Sequence, residues 1–222
     1  MAAFRSTSWY HGVLLGGITL VVTAVLAGSH AVTSPAVEAM RRADLNQSLE
    51  QVVPAALRDN DMTGDTVSLA APDGPVTVYR ARKGGRINAV AYRVTGQGYG
   101  GPIVLVMGVS RDGEILGVQV VRHSETPGLG DRIDPRKSPW LAAFSGRSLT
   151  DTPEAQWAVK KDGGRFDQFS GATVSPRAVV GAVHAGLLLF RDNRARLLGE
   201  AAEGTAAPAP VPARPVKERL PS

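Results

Sequence analysis

No Asp, Glu, Lys or Arg occurs between Arg5 and Glu38. Within that gap, residues 12–32 read GVLLGGITLVVTAVLAGSHAV. As a helix this stretch is long enough to cross a hydrocarbon core of roughly 30 Å. Trp9 and Tyr10 stand at its start, where amphipathic rings favour the lipid–water boundary. Gly12 and Gly16, extended by Gly17, form a small-xxx-small pair that would let a second membrane helix approach. The plainer reading is that glycine is simply common in membrane helices. The segment reads as a retained anchor. The competing reading is a cleavable signal, with Arg5 as its basic region and Ser29-His30-Ala31 as a poor cleavage site. Arg5 and the amino terminus oppose Arg41-Arg42, which Glu38 and Asp44 offset, so charge bias leaves the orientation open.

The remainder of the 222 residues suffices for one ordinary domain. The absence of Cys excludes disulfides, Cys-ligated zinc or iron–sulfur centres and thiol catalysis. The net charge of +5 is dispersed, with no basic run longer than Arg41-Arg42 or Lys160-Lys161, which argues against nucleic acid as a partner.

Residues 36–60 have helical spacing, with Leu45, Leu49, Val52 and Val53 on one side, and read as a juxtamembrane helical linker that Pro54 ends or bends. From about residue 64 the period changes to two. Strands are predicted at 66–70, 76–80, 87–94, 102–110 and 114–121, with Pro72-Asp73-Gly74-Pro75 turning between the first two. Val90, Tyr92 and Val94 share a face, and the continuous apolar run at 102–110 predicts a strand covered on both sides. Arg111-Asp112-Gly113 makes a hairpin turn. A short helix is predicted at 139–145, a short strand at 157–159, and a long helix over 176–197. Ser175 suits the N-cap of the long helix and Pro176 its first position, and Arg191, Arg194 and Arg196 complement the dipole at its end. Residues 199–222 form a Pro/Ala-rich tail of disordered composition. The expected fold is therefore α+β: one transmembrane helix, then a single domain over residues 61–198 with a mainly antiparallel sheet and a long C-terminal helix.

The chain lacks a Gly-x-Ser-x-Gly elbow, a phosphate loop ending in Gly-Lys, and a Gly-x-Gly-x-x-Gly fingerprint opening a helix. His123-Ser124-Glu125 holds pieces of a hydrolase triad, but neighbours on an extended chain point to opposite faces. His123 and Glu125 make only two potential metal ligands. His184 falls within the long helix and reads as a packing residue. The remaining candidate is the segment DQFSGATVSP, residues 167–176, just before that helix. Unpaired amides and the positive dipole end attract a phosphate there. Gly171 and Ala172 let a ligand approach the backbone, and Ser170, Thr173 and Ser175 supply hydroxyls. On physical grounds this is an anion site or a plain capped helix start.

Ser170-Gly171-Ala172-Thr173-Val174-Ser175 resembles the Ser/Thr-Gly-Ala-Thr-x-Ser/Thr flavinylation motif of the FMN-binding domain family. His123-Ser124-Glu125-Thr126-Pro127-Gly128-Leu129-Gly130 is similar to a second loop of that family, and Gly98-Tyr99-Gly100-Gly101-Pro102-Ile103 to its lead-in. Their order, together with the single anchor, resembles the G subunits of Rnf-type ion-translocating oxidoreductase complexes over about residues 10–198. A C-type component of a sodium-translocating NADH:quinone reductase, or a scaffold component without flavin, is the alternative.

The resemblance implies that Thr173 holds FMN covalently as a phosphoester, installed from FAD by a flavin transferase. It implies a redox component of a translocase, not catalytic alone, working beside other membrane subunits of the complex. It also implies a bacterial inner membrane location with the domain periplasmic. Ser170, Gly171, Ala172, Val174 and Ser175 would line the attachment point, and Glu125, Thr126 and Leu129 would contact the flavin or shape its pocket. The plainer reading of that second loop is a rigid turn, with Pro127 fixing φ and Gly128 and Gly130 supplying positive φ. Tyr99, Trp140 and Phe169 are candidate ring contacts. Pro176 stands where the family often carries a small polar residue.

Overall fold

The protein is described by a computed structural model covering residues 3–71 and 74–200. Pro72-Asp73 of the expected turn, and the tail from residue 201, lie outside the described residues. Five strands form one antiparallel sheet in the order of the chain: β1 (Thr66–Ala71), β2 (Gly74–Lys83), β3 (Arg86–Gln97), β4 (Pro102–Ser110) and β5 (Ile115–Arg122). Two helices flank it, α1 (Ala3–Val52) and α2 (Val174–Leu197). The α+β architecture expected from the sequence is the one observed.

The sheet is covered on both faces because alternate residues carry different cores. On one face Val90, Tyr92, Leu105 and Met107 meet Val179, Val180, Val183 and Leu187 of α2. On the other, small residues (Ala81, Ala89 and Ala91) with Val106 receive Leu49 and Val52 at the end of α1 and Val53 just beyond it. The apolar run of β4 thus serves both cores, Leu105 and Met107 facing α2 and Val106 facing α1.

α2 runs antiparallel to β3. Ala178 and Ala182, near its start, lie over Gly96, and the Tyr92 hydroxyl donates to the Gly186 carbonyl at 2.8 Å midway along it. At Gly96 a Cβ would drive into the Ala178 carbonyl, so only glycine lets the helix settle this close. Burial pushes the Tyr92 phenol far above its usual pKa, so it remains a hydrogen-bond donor throughout the physiological range.

Three expectations need correction. The anchor and the linker are one continuous helix rather than two pieces, though it stops at Val52, just ahead of Pro54, as the proline predicts. Residues 157–159 form no strand: only an isolated bridge joins Val159 to Phe166, between 3-10 turns at Glu154–Gln156 and Lys160–Asp162. Gly199 and Glu200, assigned to the tail, instead close α2. Gly199 has φ +69°, and the Glu200 amide donates to the Ala195 carbonyl, the pattern of a Schellman cap.

The long irregular segment between β5 and α2 is held by rings. Trp140 meets Phe169 and Phe144 edge-on at 5.4 and 5.3 Å, Phe144 stacks on Phe166 at 4.5 Å, and Trp157 stacks on His184 of α2 at 5.5 Å. His184 is therefore a packing residue, and desolvation holds its pKa below the ordinary histidine value.

Candidate functional site: three turns at the mouth of α2

The end of the sheet beneath the start of α2 gathers three tight turns. The first closes the β3–β4 hairpin, with the Gly98 amide donating to the Gly101 carbonyl at 2.9 Å and Tyr99 at its tip. The second spans Thr126 to Leu129, whose amide donates back to the Thr126 carbonyl at 3.1 Å. Pro127 occupies its second position and Gly128, at φ +79°, its third, which is the chemistry of a type II turn. The third spans Phe169 to Ala172, closed at 3.1 Å by the Ala172 amide and with Gly171 at φ +78°. This too is a type II turn, and it needs glycine at that position for the same reason. The two type II turns touch, because a Cβ on Gly171 would lie 3.8 Å from Leu129 Cδ2.

The third turn delivers the chain straight into α2. Thr173 occupies the N-cap, already at φ −76° and ψ −25°, and its side chain makes no capping bond. Ser175, expected as the cap, sits inside the first turn and is buried, so it cannot reach over the helix end. The Arg177 amide bonds the Thr173 carbonyl at 3.2 Å, and Pro176 has no N–H. The amides of Thr173, Val174 and Ser175 are thus the ones the helix leaves without an internal partner. They point where the helix dipole is positive, the combination that favours a phosphate by about 0.3–1 kcal/mol at an exposed site. Arg177, in the same turn, is committed elsewhere through a bidentate pair with Asp162 at 2.7 and 2.8 Å.

One buried carboxylate, preceding the second turn, ties the first turn to the start of α2. Glu125, 5% exposed, accepts the Gly100 amide at 3.0 Å on Oε1 and the Ser175 hydroxyl on Oε2. Its own amide donates to His123 Nδ1 at 3.2 Å, which leaves Ser124 exposed on the other side and separates the fragments of the supposed triad. Gly130, expected to supply positive φ, does not have it. Space is its role: a Cβ there would stand 2.8 Å from Glu125 Oε2.

Of the residues singled out by sequence, Ser170, Gly171 and Val174 are exposed around Thr173, Ala172 is half-buried, and Thr126 and Leu129 face solvent. Glu125 lies beneath the surface rather than on it. Trp140 and Phe169 are packed against each other, and the Trp140 indole donates to the Asp167 carbonyl at 2.8 Å, so they support the third turn from behind. Beyond α1, the large apolar residues left exposed among the described residues are Tyr99 (79%), Leu129 (45%), Val121 (43%) and Val174 (41%). All four belong to this end of the molecule. Gly100 and Gly130 show in the sequence only by their place inside the two glycine-bearing segments on either side of Glu125.

Next to this geometry, residues 98–188 match the FMN-binding domain family, a span that contains all three turns. The chain is 51% identical over 196 residues to the G subunit of the ion-translocating oxidoreductase complex of Cereibacter sphaeroides (strain ATCC 17029 / ATH 2.4.9), covering 88% of this chain and 90% of that one. It is 44% identical over 203 residues to the protein of the same name from Pseudomonas aeruginosa (strain UCBPP-PA14), covering 89% and 95%. Among solved structures, the C subunit of the Na(+)-translocating NADH-quinone reductase of Parabacteroides distasonis aligns with TM-score 0.45 and 23% identity over 61% of this chain and 68% of that one. Identity of this degree over nearly nine-tenths of the chain makes it a member of the G-subunit family of Rnf-type ion-translocating oxidoreductase complexes.

Proposed function

We propose that this protein carries FMN on Thr173 as a phosphoester and relays electrons within its membrane complex. The observation that carries the reading is the position of Thr173. Of the hydroxyls at residues 170–175, it alone occupies the N-cap, beside the unpartnered amides and with no capping bond of its own. Ser175 is buried against Glu125, and Ser170 lies back on the preceding turn.

Attachment is a phosphoryl transfer. The Thr173 oxygen bonds to the flavin-side phosphorus of FAD, the pyrophosphate P–O bond breaks, AMP leaves, and the hydroxyl proton is lost to a base. A threonine hydroxyl is a poor nucleophile at neutral pH, so a dedicated FAD-dependent transferase supplies the activation. The site fits the product. The helix mouth suits the one negative charge of the diester, and exposed Leu129, Val174 and Tyr99 offer apolar surface to a flat ring. Once bound, the isoalloxazine supplies one- and two-electron chemistry, while the protein sets its position and surroundings. Covalent attachment keeps the cofactor in place through repeated redox cycles. By kinship with the family, α1 anchors the domain on the periplasmic face of a bacterial inner membrane, beside the other proteins of the complex.

The test is the colour of the denatured protein. From cells holding the transferase, a denaturing gel band should fluoresce under ultraviolet light, and peptide 166–177 should carry FMN less one water. Thr173→Ala should abolish both signals. A dark wild-type band, or a fluorescent Thr173→Ala band, would overturn the assignment.

A further inference from the structure

Residues 98–101 and 170–175 are far apart in the chain, yet each bonds the Glu125 carboxylate, against which Gly130 also packs. No ion pair involves Glu125 among the described residues. Its bonded partners are instead an amide from the hairpin turn and a hydroxyl from the first turn of α2. A carboxylate is an acceptor only, so it satisfies two donors at once, whereas a carboxamide would turn an NH2 group toward one of them.

The spacing of Thr173 and Ser175 explains what this achieves. Two residues along a helix are separated by about 200° around its axis. One hydroxyl therefore faces inward when the other faces outward, which agrees with the 1% exposure of Ser175 and the half-buried state of Thr173. We infer that Glu125 is a positioning residue for the modification of Thr173. It holds the inward hydroxyl of Ser175 and so fixes the rotation of the first helical turn. That rotation aims the Thr173 oxygen and its neighbouring amides out between the two glycine turns. Both its carboxylate oxygens are taken up by the Gly100 amide and the Ser175 hydroxyl, so its part is to position.

This inference rests on the Thr173 reading, and the experiment separates the two. The full-length protein in detergent is offered to a flavin transferase with FAD, and FMN incorporation is followed by intact mass. The variants are Glu125→Gln, Ser175→Ala, Ser175→Thr and Thr173→Ala, all assayed well below the unfolding midpoint of the least stable. Misaiming the nucleophile should lower kcat for the protein substrate in Glu125→Gln and Ser175→Ala on the order of ten- to a hundredfold, with KM little changed. Ser175→Thr restores the inward hydroxyl and should recover most of the rate. Should Glu125→Gln fail to fold, the Ser175→Ala and Ser175→Thr pair decides the matter. Wild-type kcat in Glu125→Gln and Ser175→Ala, or a Ser175→Thr variant no faster than Ser175→Ala, overturns the positioning role while leaving Thr173 as the attachment point. A wild-type protein that takes up no FMN overturns both.

Discussion

At the scale of single residues, two glycines near α2 have opposite meanings. Gly96 lies on β3 beneath the helix, and a methyl group there would collide with the Ala178 carbonyl, a backbone atom that cannot swing aside. Gly181 lies on the exposed side of α2 with nothing within 4 Å of its virtual Cβ. Gly96→Ala should therefore destabilise the fold on the order of 2 kcal/mol by overpacking. Gly181→Ala should stabilise it by about 0.5–1 kcal/mol, since it removes the helix penalty of glycine and strains nothing. Urea denaturation midpoints of the two variants, shifting in opposite directions, are the check.

Among elements, the end of α1 is as much a part of the domain as any strand. Leu49, Val52 and Val53 are each no more than 2% exposed and share a core with Met62 and the alanines of β2 and β3. Leu49→Ala should cost about 2–5 kcal/mol, the range for a leucine truncated in a packed core, as measured by chemical denaturation in detergent. The strands were legible because alternation, or in β4 a continuous apolar run, agreed with the turn chemistry, and β4 was read to the residue. The junction of anchor and linker was not. The sequence breaks its hydrophobic character near residue 33, but hydrogen bonding along a helix ignores that change. The start of α2 was misjudged by two residues because Ser175 has the chemistry of a cap, whereas the turn closed by Gly171 had already set Thr173 in helical geometry. The segment 170–175 was legible as a motif. Its hydrogen bond to Glu125 was not, because bonds spanning 25 and 50 residues leave no local pattern.

The whole molecule should respond to acid through the loop that follows the second turn. Bonds from Lys137 and then from the Gly128 amide hold the Asp131 carboxyl below its usual pKa, and the Arg136 guanidinium lowers Asp134 to about 2. Carboxylates with depressed pKa values stabilise the fold above their unfolded value near 3.8, and that contribution disappears as the pH falls through the folded value. The thermal midpoint should therefore drop between about pH 4 and pH 2, and Asp134→Asn should flatten the drop while lowering the midpoint at pH 6. Because Arg136 is well exposed, the effect should shrink in high salt.

The unbroken run of α1 also has a mechanical consequence. With residues 11–29 across a bilayer, the same rod continues to Val52, a further length of roughly 35 Å, before it meets the sheet. A stalk of that length would hold the proposed flavin site at a working height above the lipid, so a partner embedded there would meet it only by rising toward it or by the stalk leaning. Pro35, which has no N–H to give the carbonyl one turn back, is the joint at which such a lean costs least.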